Sequence, residues 1–112
     1  MAEESFNGGK MFWREDTDRI YAVYYNSTWG SYADIWYEGD PEFSCGSPSS
    51  PPTPKRGFGK IWCTYANVQS GLGNATDHEW GASGVVQLFE NGFMLQSPGG
   101  GIYSFSNSGS WN

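Results

Sequence analysis

The sequence predicts an all-β or β-rich fold: a small domain of repeated, pseudo-symmetric β-hairpins with one short helix and a Pro-rich linker. Three observations carry this. Aromatic residues make up 18% of the chain, against only four Ile, three Leu and four Val, so any core is built from rings. Sixteen Gly and six Pro favour turns over long helices. Tyr103 and Phe105 alternate with Ser104 and Ser106, the period-two pattern of a half-buried strand.

The chain is organised around residues 84–111. A strand from Gly84 enters a tight turn at Glu90-Asn91-Gly92, where Asn and Gly tolerate left-handed backbone. A short strand 93–96, a Gly-rich turn 97–101 and a strand 102–106 follow. The same order of residues occurs earlier. Phe6, Met11, Ile20-Tyr21, Val23 and Trp29 match Phe89, Met94, Ile102-Tyr103, Phe105 and Trp111. The offset is 83 at first and 82 later, so one turn is a residue shorter. Such an ordered match reads as an internal repeat.

Taken in order, residues 10–14 and 19–25 form the first hairpin, with Glu15-Asp-Thr-Asp18 as its turn, where short polar side chains bond the local backbone. Tyr21, Val23 and Tyr25 share the core face, leaving Ala22 and Tyr24 outward. Residues 26–31 are a turn, and 32–37 a strand or short helix carrying Trp36. Residues 44–54 are dense in Ser and Pro and cannot lie inside a sheet, because proline lacks the amide donor. Order resumes at 57–65. Residues 67–72 are the short helix, ended by Gly73. The divisions are a first hairpin unit at 6–37, a linker at 44–56 and a second unit at 57–112, within one domain over 1–112.

A net charge of −6 opposes nucleic-acid binding, which needs a basic face. No apolar run is long enough for a membrane-spanning helix. Met1-Ala-Glu-Glu4 carries no signal-peptide pattern and reads as a boundary segment. Cys45 and Cys63 fit one disulfide and equally fit two buried thiols. With one His, a structural zinc site is not expected. No cofactor is expected.

Leu72-Gly73-x-Ala75-Thr76, then Glu79, Gly84, Gln87-x-Phe89, Gly92 and Trp111 together resemble the LGFP repeat of bacterial cell-wall and secreted proteins. The match covers residues 62–111, with 6–29 as a second, partial copy. Ala75 stands where that family prefers proline, and the Pro-rich insertion is foreign to its pattern. The resemblance implies a non-catalytic, secreted or cell-surface module associated with the envelope or its glycans.

Candidate chemistry is sparse. His78 lies between Asp77 and Glu79, but sequence neighbours point in different directions and no Gly-x-Ser-x-Gly elbow exists, so a polar loop is the better reading. Asp16-x-Asp18 lacks the glycine and distal glutamate of a calcium loop. Asp34, Glu38 and Asp40 offer paired carboxylates, but glycoside hydrolysis needs a cleft for which this chain has little room. Asn26 and Asn74 match short sequons that arise readily by chance. The aromatic surplus is the strongest functional sign. Phe12, Trp13 and Tyr24 occur in the first copy only, where the second has Leu95, Gln96 and Ser106, so the scaffold does not reuse them. They are the expected ligand-binding residues, with Tyr24 on the surface, and polysaccharide or another surface protein as partner. The alternative is a structural module that self-associates.

Overall fold

The computed structural model describes residues 1–45, 52–81, 83–97, 99, 101–107 and 109–111. Among the described residues eight strands form two antiparallel sheets, with two short helices. The larger sheet contains β1 (Ala2–Phe6), β2 (Gly9–Arg14), β3 (Arg19–Tyr24), β4 (Trp29–Ala33) and β5 (Trp80–Gly81), in the order β4-β3-β2-β1-β5. The smaller contains β6 (Val85–Phe89), β7 (Gly92–Gln96) and β8 (Ile102–Ser106) in sequence order. The β-rich class therefore stands. The helices α1 (Arg56–Thr64) and α2 (Ala66–Leu72) pack on the face of the larger sheet opposite the smaller one.

Two cores result, one on each face of the larger sheet. Phe12, Tyr21 and Val23 meet Phe93, Leu95 and Phe105 between the sheets. Rings dominate this layer: Phe93 stacks on Phe105 at 4.7 Å, and Tyr21 lies 5.2 Å from Phe93. On the opposite face, Phe6, Met11, Ile20 and Ala22 pack against Phe58, Ile61, Val68 and Leu72 of the helices. This double cover corrects the expectation that Ala22 and Tyr24 face outward. Alternation puts them on the face opposite Tyr21, and the helices bury that face too: Ala22 is fully buried and Tyr24 half-buried.

Other boundaries also move. The hairpin turn at Glu15–Asp18 is as expected, with Arg14 opposite Arg19. The turn placed at 26–31 is shorter, because Trp29 already pairs with Val23 to open β4. Residues 34–37, expected as strand or helix, follow β4 as irregular chain. The boundary segment is instead β1, paired on both sides, with Glu3 and Glu4 buried. There are two helices rather than one. The residues expected only to resume order at 57–65 form α1, whose Phe58, Ile61 and Trp62 make an apolar stripe at helical spacing. Its glycines hid it. Gly59 lies against the Pro54 carbonyl, where a Cβ would collide, so here glycine marks close approach rather than a turn. The helix expected at 67–72 is α2, ended by Gly73 at φ 70°.

Cys45 and Cys63 are joined, with Cα atoms 5.9 Å apart, which ties the chain before α1 to that helix. Residues 46–51 of the expected 44–56 linker lie outside the described residues, and its last residue, Arg56, already opens α1.

The two three-stranded meanders β1-β2-β3 and β6-β7-β8 pair in corresponding registers. Phe6 sits opposite Gly9 as Phe89 does opposite Gly92, and Val23 opposite Lys10 as Phe105 opposite Phe93. At the join between them, bonds run both ways. Trp29 Nε1 donates to the Ser106 carbonyl at 3.0 Å, and Trp111 Nε1 donates to the Tyr24 carbonyl at 2.6 Å. The Trp29 amide donates to the Gly109 carbonyl, the Trp111 amide to the Ser27 carbonyl, and Thr28 bridges Ser110.

Candidate functional site

The three expected ligand residues separate. Phe12 points between the sheets, is fully buried and meets the Tyr103 ring at 4.9 Å. It cannot offer a ring face to a ligand. Tyr24 points the other way, against Gly71 of α2. Burial, with Tyr32 beside it, pushes its hydroxyl up to about 12. It serves the sheet–helix join rather than an open platform. Trp13 alone of the three borders a concavity.

That concavity, about 230 Å³, is bounded by Trp13, Asp34, Trp36, Arg56, Phe58 and Glu79. Five parts of the chain build it, with β3 contributing Ile20. β2 carries Trp13, whose alternation from Phe12 sends it to the helix side of the sheet. The indole is held by a hydrogen bond from Nε1 to Asp18 Oδ1 at 3.0 Å, with Asp18 in left-handed backbone at φ 51°. The chain leaving β4 supplies Asp34 and Trp36. Asp34 Oδ1 accepts the Trp36 amide at 3.0 Å, and Trp36 Nε1 donates to the Pro41 carbonyl at 2.9 Å, so this irregular segment is pinned at both ends. α1 brings Arg56 and Phe58. The loop before β5 brings Glu79.

Two carboxylates and two indoles thus line one hollow. Burial raises the Asp34 carboxyl, opposed by the Trp36 amide bond, with Asp18 nearby adding to the rise. Burial also raises Glu79, opposed by Arg56 and Lys55. A Cβ at Gly57 would stand 2.7 Å from Asp34 Oδ1, so a larger residue there would push the Asp34 carboxylate from this position. Flat ring walls with partly desolvated acceptors suit a ring-shaped, hydroxyl-rich ligand: C–H faces stack on indole, and hydroxyls donate to carboxylates. The volume lies below the usual range for drug-sized ligands and suits one ring-sized group.

A smaller hollow beside it, about 220 Å³, is bounded by Glu4, Phe43, Lys55, His78 and Glu79 among others. Glu4 is fully buried, and burial together with Glu79 and Asp77 pushes its carboxyl up to about 8, with Lys55 opposing. His78 is exposed in this loop, while Asp77 Oδ1 accepts the Ser5 amide at 2.8 Å. Asp16 pairs with Arg14 at 2.8 Å, so both acids of the Asp16-x-Asp18 pattern serve the turn. Asp40 binds Lys60 at 2.9 Å and is likewise engaged in structure. No group of three or more metal-ligating side chains occurs among the described residues, and none of the described helices is long and apolar enough to cross a membrane.

Of the three rings expected from sequence Trp13 lines this hollow, and Asp34, Trp36 and Glu79 were not expected as its neighbours. They lie 21 to 66 positions further along, and no spacing rule connects them. The one local clue was Asp34-x-Trp36, an acid two residues before an amide it can bond. Comparison with known proteins adds nothing: no family model, curated protein or solved structure matches this chain.

Proposed function

We propose that this chain is a non-catalytic extracellular module that binds neutral cell-envelope polysaccharide in the hollow between Trp13 and Trp36. The observation that carries the reading is the pairing of those two indoles with Asp34 and Glu79 around a ring-sized space. Acidic charge disfavours an anionic glycan, which leaves a neutral one. The Cys45–Cys63 bond agrees with an oxidising, secreted or cell-surface setting. The LGFP-like pattern agrees with an envelope role. Its Leu72-Gly73 ends α2, its Ala75 bridges Phe6, and its Gln87-x-Phe89 lies on β6.

We further propose that the two meanders are pseudo-symmetric copies of one unit. Matched registers and the reciprocal Trp29 and Trp111 bonds support this. A second functional reading, a structural module that packs against other proteins, is favoured by exposed Val85, Leu88, Phe89 and Ile102 on the smaller sheet.

The test is titration with neutral and acidic cell-wall polysaccharides while following Trp fluorescence, with Trp13→Ala and Trp36→Ala alongside. Saturable binding of neutral glycans, lost in both variants, is the expected result. No response at millimolar sugar removes the binding reading. Wild-type binding by both variants moves the site elsewhere. Light scattering across a concentration series separates the second reading, which expects assembly without sugar.

A further inference from the structure

The two meanders differ in what covers their outer faces. On the first, Ala2, Phe6, Met11 and Ile20 point to the side opposite the other sheet and lie buried beneath α1 and α2. The pairing registers put Val85, Phe89, Met94 and Ile102 at the corresponding places on the second. All four are apolar. Val85, Phe89 and Ile102 are 60%, 51% and 62% exposed, and Met94 is half-buried. Strand alternation confirms the side: Phe93, Leu95 and Phe105 face inward, so Met94 and Ser104 face out. A sheet face with large apolar groups at four places, otherwise Gln87, Gly92, Gln96, Ser104 and Ser106, is unusual as a solvent face.

We propose that this outer face is a docking surface for an amphipathic helical pair of the α1–α2 kind, carried by a further copy of the repeat unit. The molecule itself supplies the established interface. The same four positions, on the same side of the same three-stranded pairing, already receive Phe58, Ile61, Val68 and Leu72. The start of the covering segment also recurs. Trp29 opposite Val23 opens β4, which leads on to the helices, and Trp111 stands opposite Phe105 in the same way. One difference sets the seating. The end of α2 closes onto Gly8, where a Cβ would collide with the Gly71 carbonyl, and Asn91 holds the matching place. The docked pair therefore sits back from the hairpin tip, over Met94 and Ile102. This inference is independent of sugar binding.

The experiment extends the chain: residues 30–81 are appended directly after Trp111, giving the second meander its own β4, helices and β5. The expected result is a gain in far-UV helical signal equal to that of the first pair, with loss of hydrophobic-dye binding at the bare face. Phe89→Asp with Ile102→Asp in the extended chain should abolish both changes. The same double substitution in the 112-residue chain should leave it folded with its far-UV helical signal retained, since both side chains are largely exposed there. An appended segment that stays unfolded, or folds equally well in the double variant, overturns the proposal. So does dimerisation of the 112-residue chain that the double substitution abolishes, because the occupant is then a second copy of the bare face.

Discussion

The first and second meanders have corresponding strands, corresponding registers and opposite fates for the same residue types. Phe6 is 2% exposed and Phe89 51%; Ile20 is fully buried and Ile102 62% exposed. Local sequence cannot account for the contrast, since both sets occupy matched positions in equivalent hairpins. The difference lies in the segment between them, which folds α1 and α2 over one face and leaves the other uncovered. Strand formation here is a property of each meander, whereas burial is a property of the layer laid on top.

The largest effect should come from truncating the covered face and its bare counterpart in parallel. Phe6→Ala should lower unfolding free energy by about 3–5 kcal/mol, as buried ring deletions do, and Phe89→Ala by under about 1 kcal/mol. Denaturant titration of both variants measures this. Equal losses would mean that the second face is covered in solution.

Glu4 on β1 occupies the place that Gln87 holds on β6, each opposite a methionine. Glu4 keeps its proton in the folded protein up to about 8, against an ordinary value of 4.5. An acid with a raised folded pKa binds a proton that the unfolded chain releases. Its contribution is therefore greatest below pH 4.5 and declines as pH rises toward 8, by on the order of a few kcal/mol. Glu4→Gln should flatten the stability profile between those limits, leaving a neutral amide as at Gln87. A variant that keeps the wild-type slope would assign that slope to other groups.

Reduction of the Cys45–Cys63 bond should act on the covered side. Opening a loop of 18 residues' separation costs about 3 kcal/mol in the chain-entropy model. Hydrogen exchange in reducing buffer should show α1 and α2 losing protection first, with β6, β7 and β8 changed less. Uniform loss across both sheets would show that the helices and the sandwich unfold as one unit.

The smallest effect tests the exchange at the join. Trp29→Phe and Trp111→Phe each remove one indole donor while keeping most of the ring, and each should cost about 1–2 kcal/mol. Similar values in thermal unfolding would agree with a pseudo-symmetric join. A large asymmetry would show that one tryptophan holds the two meanders together.

Much of this fold was legible in the chain because it depends on short-range chemistry. Alternation at Tyr103 and Phe105, the Glu15–Asp18 turn and the helix ended by Gly73 each follow from backbone constraints acting over a few residues. The ordered match of Phe6–Trp29 with Phe89–Trp111 anticipated the matched registers for the same reason, since hairpin register follows turn length. What was not legible depended on distant partners. α1 was hidden because Gly57 and Gly59 lower helix propensity, yet each makes room for a group elsewhere in the chain, Asp34 in one case and the Pro54 carbonyl in the other. β1 was hidden because two consecutive acids do not resemble a buried strand. Phe12, Trp13 and Tyr24 looked alike as spare rings. Alternation could place Phe12 and Trp13 on opposite faces, but a strand's period does not say which faces are covered. The sandwich buried Phe12, the helices half-buried Tyr24, and the irregular chain carrying Asp34 and Trp36 left Trp13 at the edge of a hollow. Periodicity is an angular property of one segment, whereas exposure depends on every other segment that reaches it, and only the assembled layers decide that.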